Sequence, residues 1–151
     1  MGNLYTGAEI VFKCLEDQKV DHIFGYPGGA VLPIYDELKN HPSIKHILVR
    51  HEQGAGHAAE GYARVKNKPA IVNVTTGPGS INSLNGVHGA FTDSIPMIII
   101  SGQVKRETMM STYDNPGLRQ LGDQEVDIIS MVKGITKYAV EITNQSNDLI
   151  F

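Results

Sequence analysis

Two hydrophobic periods alternate along the chain. Ile10, Val11, Cys14 and Leu15 recur at helical spacing and predict a helix over 6–19. A short apolar run, His22-Ile23-Phe24-Gly25, predicts a strand, and the Pro and Gly of Tyr26-Pro27-Gly28-Gly29-Ala30 predict a turn. Helical spacing resumes over 31–40. A strand is predicted over 44–49, then a helix rich in Gly and Ala over 53–66. The near-continuous apolar run 70–75 reads as a buried strand. Gly77-Pro78-Gly79-Ser80 breaks it, and a helix follows over 81–91. Pro96 opens a strand over 97–101. Beyond it come an irregular stretch over 102–122, a helix near 125–132 and a last strand near 137–142.

Strands apolar on both faces, alternating with helices, indicate an α/β domain with a mostly parallel sheet. Ligands in such folds gather at the carboxyl ends of the strands. Four loops lie there: 26–30, 50–53, 76–80 and the stretch from Gly102 onward. They hold the unusual chemistry of the chain.

Composition narrows the function classes. The 151 residues carry 13 Lys+Arg against 16 Asp+Glu, a formal charge of −3 without a basic cluster, which argues against a nucleic-acid surface. Cys14 is the single cysteine, so no internal disulfide can form, and a reducing, cytoplasmic setting fits. The longest apolar run is far too short to cross a bilayer, and the N-terminus lacks the pattern of a signal peptide. Met1-Gly2-Asn3-Leu4-Tyr5-Thr6 fits a myristoylation pattern but has no polybasic partner. Asn73-Val74-Thr75 and Asn144-Gln145-Ser146 are sequons, which have no meaning without secretion.

Three motifs carry candidate chemistry. Thr75 to Asn82 follows a strand and opens a helix, like a dinucleotide fingerprint, yet Asn82 stands where the third glycine belongs. His51 and His57 are six residues apart, about 600° around a helix, which places them on different faces and excludes a zinc pair. Glu52 ends an apolar strand, where a carboxylate enters a cleft. It equally suits the first turn of a helix, where an acid complements the macrodipole. The following helix carries Gly54, Gly56 and Gly61, each costing about 1 kcal/mol against Ala, which implies a close neighbour: sheet, ligand or partner subunit.

Taken in order, five motifs resemble the N-terminal pyrimidine-binding domain of acetolactate synthase and related thiamine-diphosphate enzymes. They are Tyr26-Pro27-Gly28-Gly29-Ala30; Arg50-His51-Glu52-Gln53-Gly54 running into Ala59-Glu60-Gly61-Tyr62-Ala63-Arg64; Thr76-Gly77-Pro78-Gly79; Asp93-Ser94-Ile95-Pro96; and Ser101-Gly102-Gln103-Val104. The resemblance spans nearly the whole chain and implies a three-layer α/β fold. It matches Glu52 to the glutamate that hydrogen-bonds the aminopyrimidine N1′ of thiamine diphosphate and promotes its imino tautomer. A carboxyl kept dry favours its neutral form and can donate such a bond. Tyr26, Pro27, Thr75, Pro78 and Asn82 match positions around the pyrimidine ring. Gly28 and Gly29 match a loop whose bare backbone lies near the reacting carbon, and Gln124 matches a glutamine facing the substrate.

Two departures bear on specificity. Asp123 stands where acetolactate synthases commonly have Phe, after an expanded stretch over 105–122, and Lys105 stands where the family has Pro. An acid in place of an aromatic changes both volume and charge beside the substrate. The resemblance further implies a second domain that binds the diphosphate and Mg²⁺ through Gly-Asp-Gly and Asn-Asn. Neither motif occurs in the 151 residues, which themselves offer no metal site. With the apolar ending Asp148-Leu149-Ile150-Phe151, this leads us to expect one pyrimidine-binding domain, 1–151, of a longer chain, inactive alone. It would work as a homodimer or higher homo-oligomer, with the diphosphate-binding domain of another subunit completing the site around a small 2-oxo acid. Helix residues 54–63 are the candidate partner face. Two alternatives stay open: a short subunit of a two-subunit 2-oxo-acid decarboxylase, and a non-catalytic nucleotide-binding module.

Overall fold

The computed structural model describes residues 5–114 and 117–142. Thr6 starts the first helix, α1 (Gly7–Asp17), through a capping box: its hydroxyl accepts from the Glu9 N–H at 3.2 Å, and the Glu9 carboxylate accepts from the Thr6 N–H at 2.6 Å. The remaining elements follow in the order β1 (His22–Gly25), α2 (Leu32–Leu38), β2 (Lys45–Leu48), α3 (Glu52–Lys66), β3 (Ala70–Val74), α4 (Pro78–Asn82), α5 (Leu84–Thr92), β4 (Met97–Ser101) and α6 (Ile128–Val132). A 3₁₀ turn, Gly29–Val31, leads into α2.

The four strands among the described residues are all parallel, in the order β2-β1-β3-β4. β3 is buried along its whole length, as its unbroken apolar run requires of a central parallel strand. Alternate residues serve opposite layers. Val72 and Val74 pack with Phe24 against Ala55, Ala59 and Ala63 of α3, while Ile71 and Ile23 pack against Phe12 and Leu15 of α1 and Ile34 and Leu38 of α2. Helices therefore cover both faces, the three-layer α/β architecture. No helix among the described residues is long and apolar enough to cross a membrane.

The register decides where the loops go. Gly25 pairs with Leu48 and Asn73, and Val74 pairs with Ser101, so all four strands end at one edge of the sheet. The loops after β1, β2, β3 and β4 rise from that edge together.

Three expectations need correction. The helix predicted over 81–91 begins earlier, at Pro78, because Pro suits a first helical turn, and it breaks at Ser83 into α4 and α5. The helix predicted near 125–132 is confined to Ile128–Val132: the Asp127 carboxylate caps it by accepting from the Ser130 N–H at 2.9 Å, and Glu125 is drawn elsewhere. Residues 137–142 form no strand, since they pair with none of the four described strands. The sequon residue Asn73 lies in the sheet at 1% exposure, inaccessible to a glycan. Asn144, residues 1–4 of the myristoylation pattern and the apolar ending lie outside the described residues.

Candidate active site

α3 begins where β2 delivers the chain to the sheet edge. His51 caps it, Nδ1 accepting from the Gln53 N–H at 3.2 Å, so this histidine has a helix-start role. The next residue, Glu52, is in the first turn and only 8% exposed. Burying a carboxylate is costly unless it is paired. Here Oε2 accepts from Asn82 Nδ2 at 2.9 Å, and the helix N-terminus adds favourable polarity. Asn82 is the last residue of α4, which explains why an amide replaces the glycine of a dinucleotide fingerprint.

Beside this pair the backbone is bare. A Cβ on Gly79 would lie 2.7 Å from Thr75 Cγ2 and 3.2 Å from Glu52 Oε1, and one on Gly28 would lie 2.5 Å from Thr75 Cβ. The loops after β1 and β3 thus meet at Thr75, close to Glu52. Gly77, with φ +56°, makes the sharp turn into α4 that only glycine adopts freely. Ser80, which the sequence did not single out, reinforces the turn by donating to the Thr75 carbonyl at 2.7 Å and pairing with the Ser101 hydroxyl.

The other candidates stand around this centre. Tyr26 and Pro27 are exposed at the end of β1, Tyr26 at 42%. Gly29 is exposed with open space where a Cβ would be, and Pro78 is exposed at the start of α4. Gln124 is exposed and left-handed, φ +59°, its carbonyl against Gly77. Asp123 is exposed next to it. The structure therefore brings Glu52, Asn82, Thr75, Gly28 and Gly79 together directly and places Gln124 on the same loop cluster through Gly77.

Several motif residues have architectural roles instead. Arg64 donates to Glu60 Oε1 at 2.6 Å and to Asp93, tying α3 to the end of α5. His57 approaches Glu60 at 3.8 Å. Among the described residues no cluster of three or more His, Cys, Asp and Glu side chains could hold a metal. The small residues of α3 divide: Ala55, Gly56, Ala59 and Ala63 face the sheet and α5, whereas Gly54, Ala58 and Gly61 face out.

Comparison with known proteins decides the family. Residues 5–131 match the model of the thiamine pyrophosphate enzyme N-terminal TPP binding domain. The chain belongs to the thiamine pyrophosphate enzymes. It is 48% identical over 136 residues to the acetolactate synthase large subunit of Buchnera aphidicola from Acyrthosiphon pisum, covering 90% of this chain and 22% of that protein. It is 42% identical over 146 residues to the acetolactate synthase isozyme 3 large subunit of Escherichia coli, covering 97% and 24%. The mitochondrial acetolactate synthase catalytic subunit of Saccharomyces cerevisiae is 41% identical over 137 residues, 91% and 19%. The chain thus spans about a fifth of the length of these relatives. Glu52, Thr75, Gly79 and Asn82 all lie inside the segment that matches this N-terminal TPP binding domain.

Proposed function

We propose that this domain is the pyrimidine-binding half of a thiamine-diphosphate enzyme that decarboxylates a small 2-oxo acid such as pyruvate and condenses it with a second 2-oxo acid. The observation that carries this reading is the buried Glu52 carboxylate, held by Asn82 where Gly28 and Gly79 pack against Thr75 and bring the loops after β1 and β3 together. A ring nitrogen needs such a carboxyl, positioned and shielded from water. The residues present fit the cofactor.

When bound, thiamine diphosphate supplies the carbon nucleophile and the electron sink that loss of CO₂ from a 2-oxo acid requires. This chain's own residues prepare it. Glu52 would hold the pyrimidine ring at N1′, and Asn82 fixes the carboxylate through Oε2, leaving Oε1 beside Gly79. Thr75, Pro78, Tyr26 and Pro27 would line the ring. Gly28 and Gly29 would keep side chains away from the reacting carbon, and Gln124 would face the substrate. Asp123 adds an acid beside Gln124, and it is the residue we assign to acceptor preference within the class of 2-oxo acids. The diphosphate and Mg²⁺ would be held by a second domain of another subunit, and the outward residues of α3, Gly54, Ala58 and Gly61, would form the self-association surface.

Glu52→Gln in the complete enzyme tests the reading. Turnover should fall roughly a hundredfold or more, as expected for loss of a positioned proton-transfer group, with the circular dichroism spectrum unchanged. Activity within threefold of the parent enzyme, with cofactor bound, refutes it and favours a module in which that carboxyl has no chemical role.

A further inference from the structure

The conformation of Gln124 is unfavourable for a residue with a side chain. Its φ of +59° lies in the left-handed region, and its carbonyl presses so close to Gly77 that a Cβ there would be 2.0 Å away. Such geometry persists only where the surroundings over-determine it. Two side chains shape the segment from within. Gln120 Nε2 donates to the Gly122 carbonyl at 3.0 Å and the Glu125 carbonyl at 3.1 Å, and the Glu125 carboxylate accepts from the Met110 N–H at 2.8 and 3.1 Å. Both bond inside the 105–125 stretch, so they do not attach it to the sheet.

Gln103 makes that attachment. It follows β4, and its Oε1 accepts from Thr76 Oγ1 at 2.8 Å and from the Val104 N–H at 2.9 Å. Its Nε2 donates to the Val126 carbonyl at 3.1 Å. One half-buried amide therefore joins the loop after β3, the loop after β4 and the chain two residues beyond Gln124. The two ends of the amide cannot be exchanged: the Val104 N–H needs an acceptor and the Val126 carbonyl needs a donor. A carboxylate of the same shape fails at Val126, where it sets charge against a carbonyl oxygen.

We propose that Gln103 is a positioning residue, a clasp that holds Gln124 against the Gly77 turn and so fixes the substrate-facing side of the site without touching substrate. The proposal rests on the reading that Gln124 faces the 2-oxo acid. The test compares Gln103→Glu and Gln103→Leu with the parent in the full-length enzyme. Loss of the half-buried Nε2 donor should raise KM for pyruvate roughly tenfold while thiamine diphosphate half-saturation stays within twofold. Hydrogen exchange at amides 122–126 should quicken by roughly tenfold, with the β3 amides 70–74 unchanged. The isosteric Glu variant keeps the test usable if Leu disturbs folding. Unchanged KM, or half-saturation of cofactor rising in step with KM, overturns the positioning role. A parent enzyme with no thiamine-diphosphate-dependent turnover of any 2-oxo acid refutes the functional reading instead. In that case exchange decides the clasp, and unchanged protection at 122–126 refutes it.

Discussion

Glu52 and Asn82 are 30 residues apart, and each was legible for a different reason. The carboxylate stood out because it ended an apolar strand, the amide because it displaced an expected glycine. Their 2.9 Å bond was invisible in the sequence, since it depends on α4 folding back over the start of α3. His41 carried no motif of its own, and only a surface or packing role was expected of it. Its ring stacks on Phe12 with centroids 4.8 Å apart, Nδ1 lies 2.9 Å from Glu16 and Nε2 3.1 Å from Glu37. A ring with a carboxylate on each nitrogen is best satisfied as the imidazolium, and the Glu16 bond, with help from Glu37, raises its pKa above the ordinary 6.5. A pKa raised on folding contributes stability that is fully present below the unfolded value and is lost as pH rises through the folded one. Chemical denaturation of wild type and His41→Asn should therefore show a larger stability difference at pH 5.5 than at pH 8.5. An equal difference at both pH values means that the ring acts only by stacking. At the other extreme Asp21, held at about 2 chiefly by the Tyr62 hydroxyl and also by His22, contributes stability above about 3.8 that is lost as pH falls towards 2.

At the scale of elements, the glycines of α3 pointed to a close neighbour, and the structure supplies one inside the chain. Gly56 meets Gly86 of α5 backbone to backbone: a Cβ on Gly86 would lie 2.6 Å from Gly56 Cα. Gly86→Ala gains helix propensity of about 1 kcal/mol but forces two helices apart, and overpacking of that kind costs about 1–3 kcal/mol. Gly61 has nothing within 4 Å of its Cβ position inside the chain, so in the unassociated domain Gly61→Ala keeps the propensity gain without the clash. Thermal unfolding should place the Gly86 variant below wild type and the Gly61 variant above it. The reverse order would place the close contact elsewhere. Most elements were readable from periodicity, although the strand predicted over 137–142 does not form, and ends were not readable where a side chain had a distant partner. Glu125 bonds Met110 and Val126 bonds Gln103, so the last helix starts three residues later than its hydrophobic pattern indicates.

For the whole molecule, the relevant fact is that the chain covers about a fifth of its relatives. The described residues assemble a loop-bearing sheet edge with a buried carboxyl and an amide, yet no carboxylate cluster that could take a metal ion. We expect the purified 151 residues, supplied with thiamine diphosphate and Mg²⁺, to release no CO₂ from pyruvate above background, whereas the complete protein does. A rate from the 151 residues within tenfold of the complete protein contradicts the division of the site between two domains.

Alternation of a strand period with a helix period was sufficient to specify an α/β domain with parallel strands, and five short motifs were sufficient to specify the family. Both are local properties, expressed over a few residues by side-chain spacing and turn chemistry. Tertiary structure alone decided which residues became the site's support. The parallel register brings four loops to one edge, and that is what turns Gln103 into a bridge from Thr76 to Val126 and presses Gln124 onto Gly77. Hydrogen bonds between residues tens of positions apart leave no periodic trace, because each depends on where the backbone returns and not on what lies beside it in the chain.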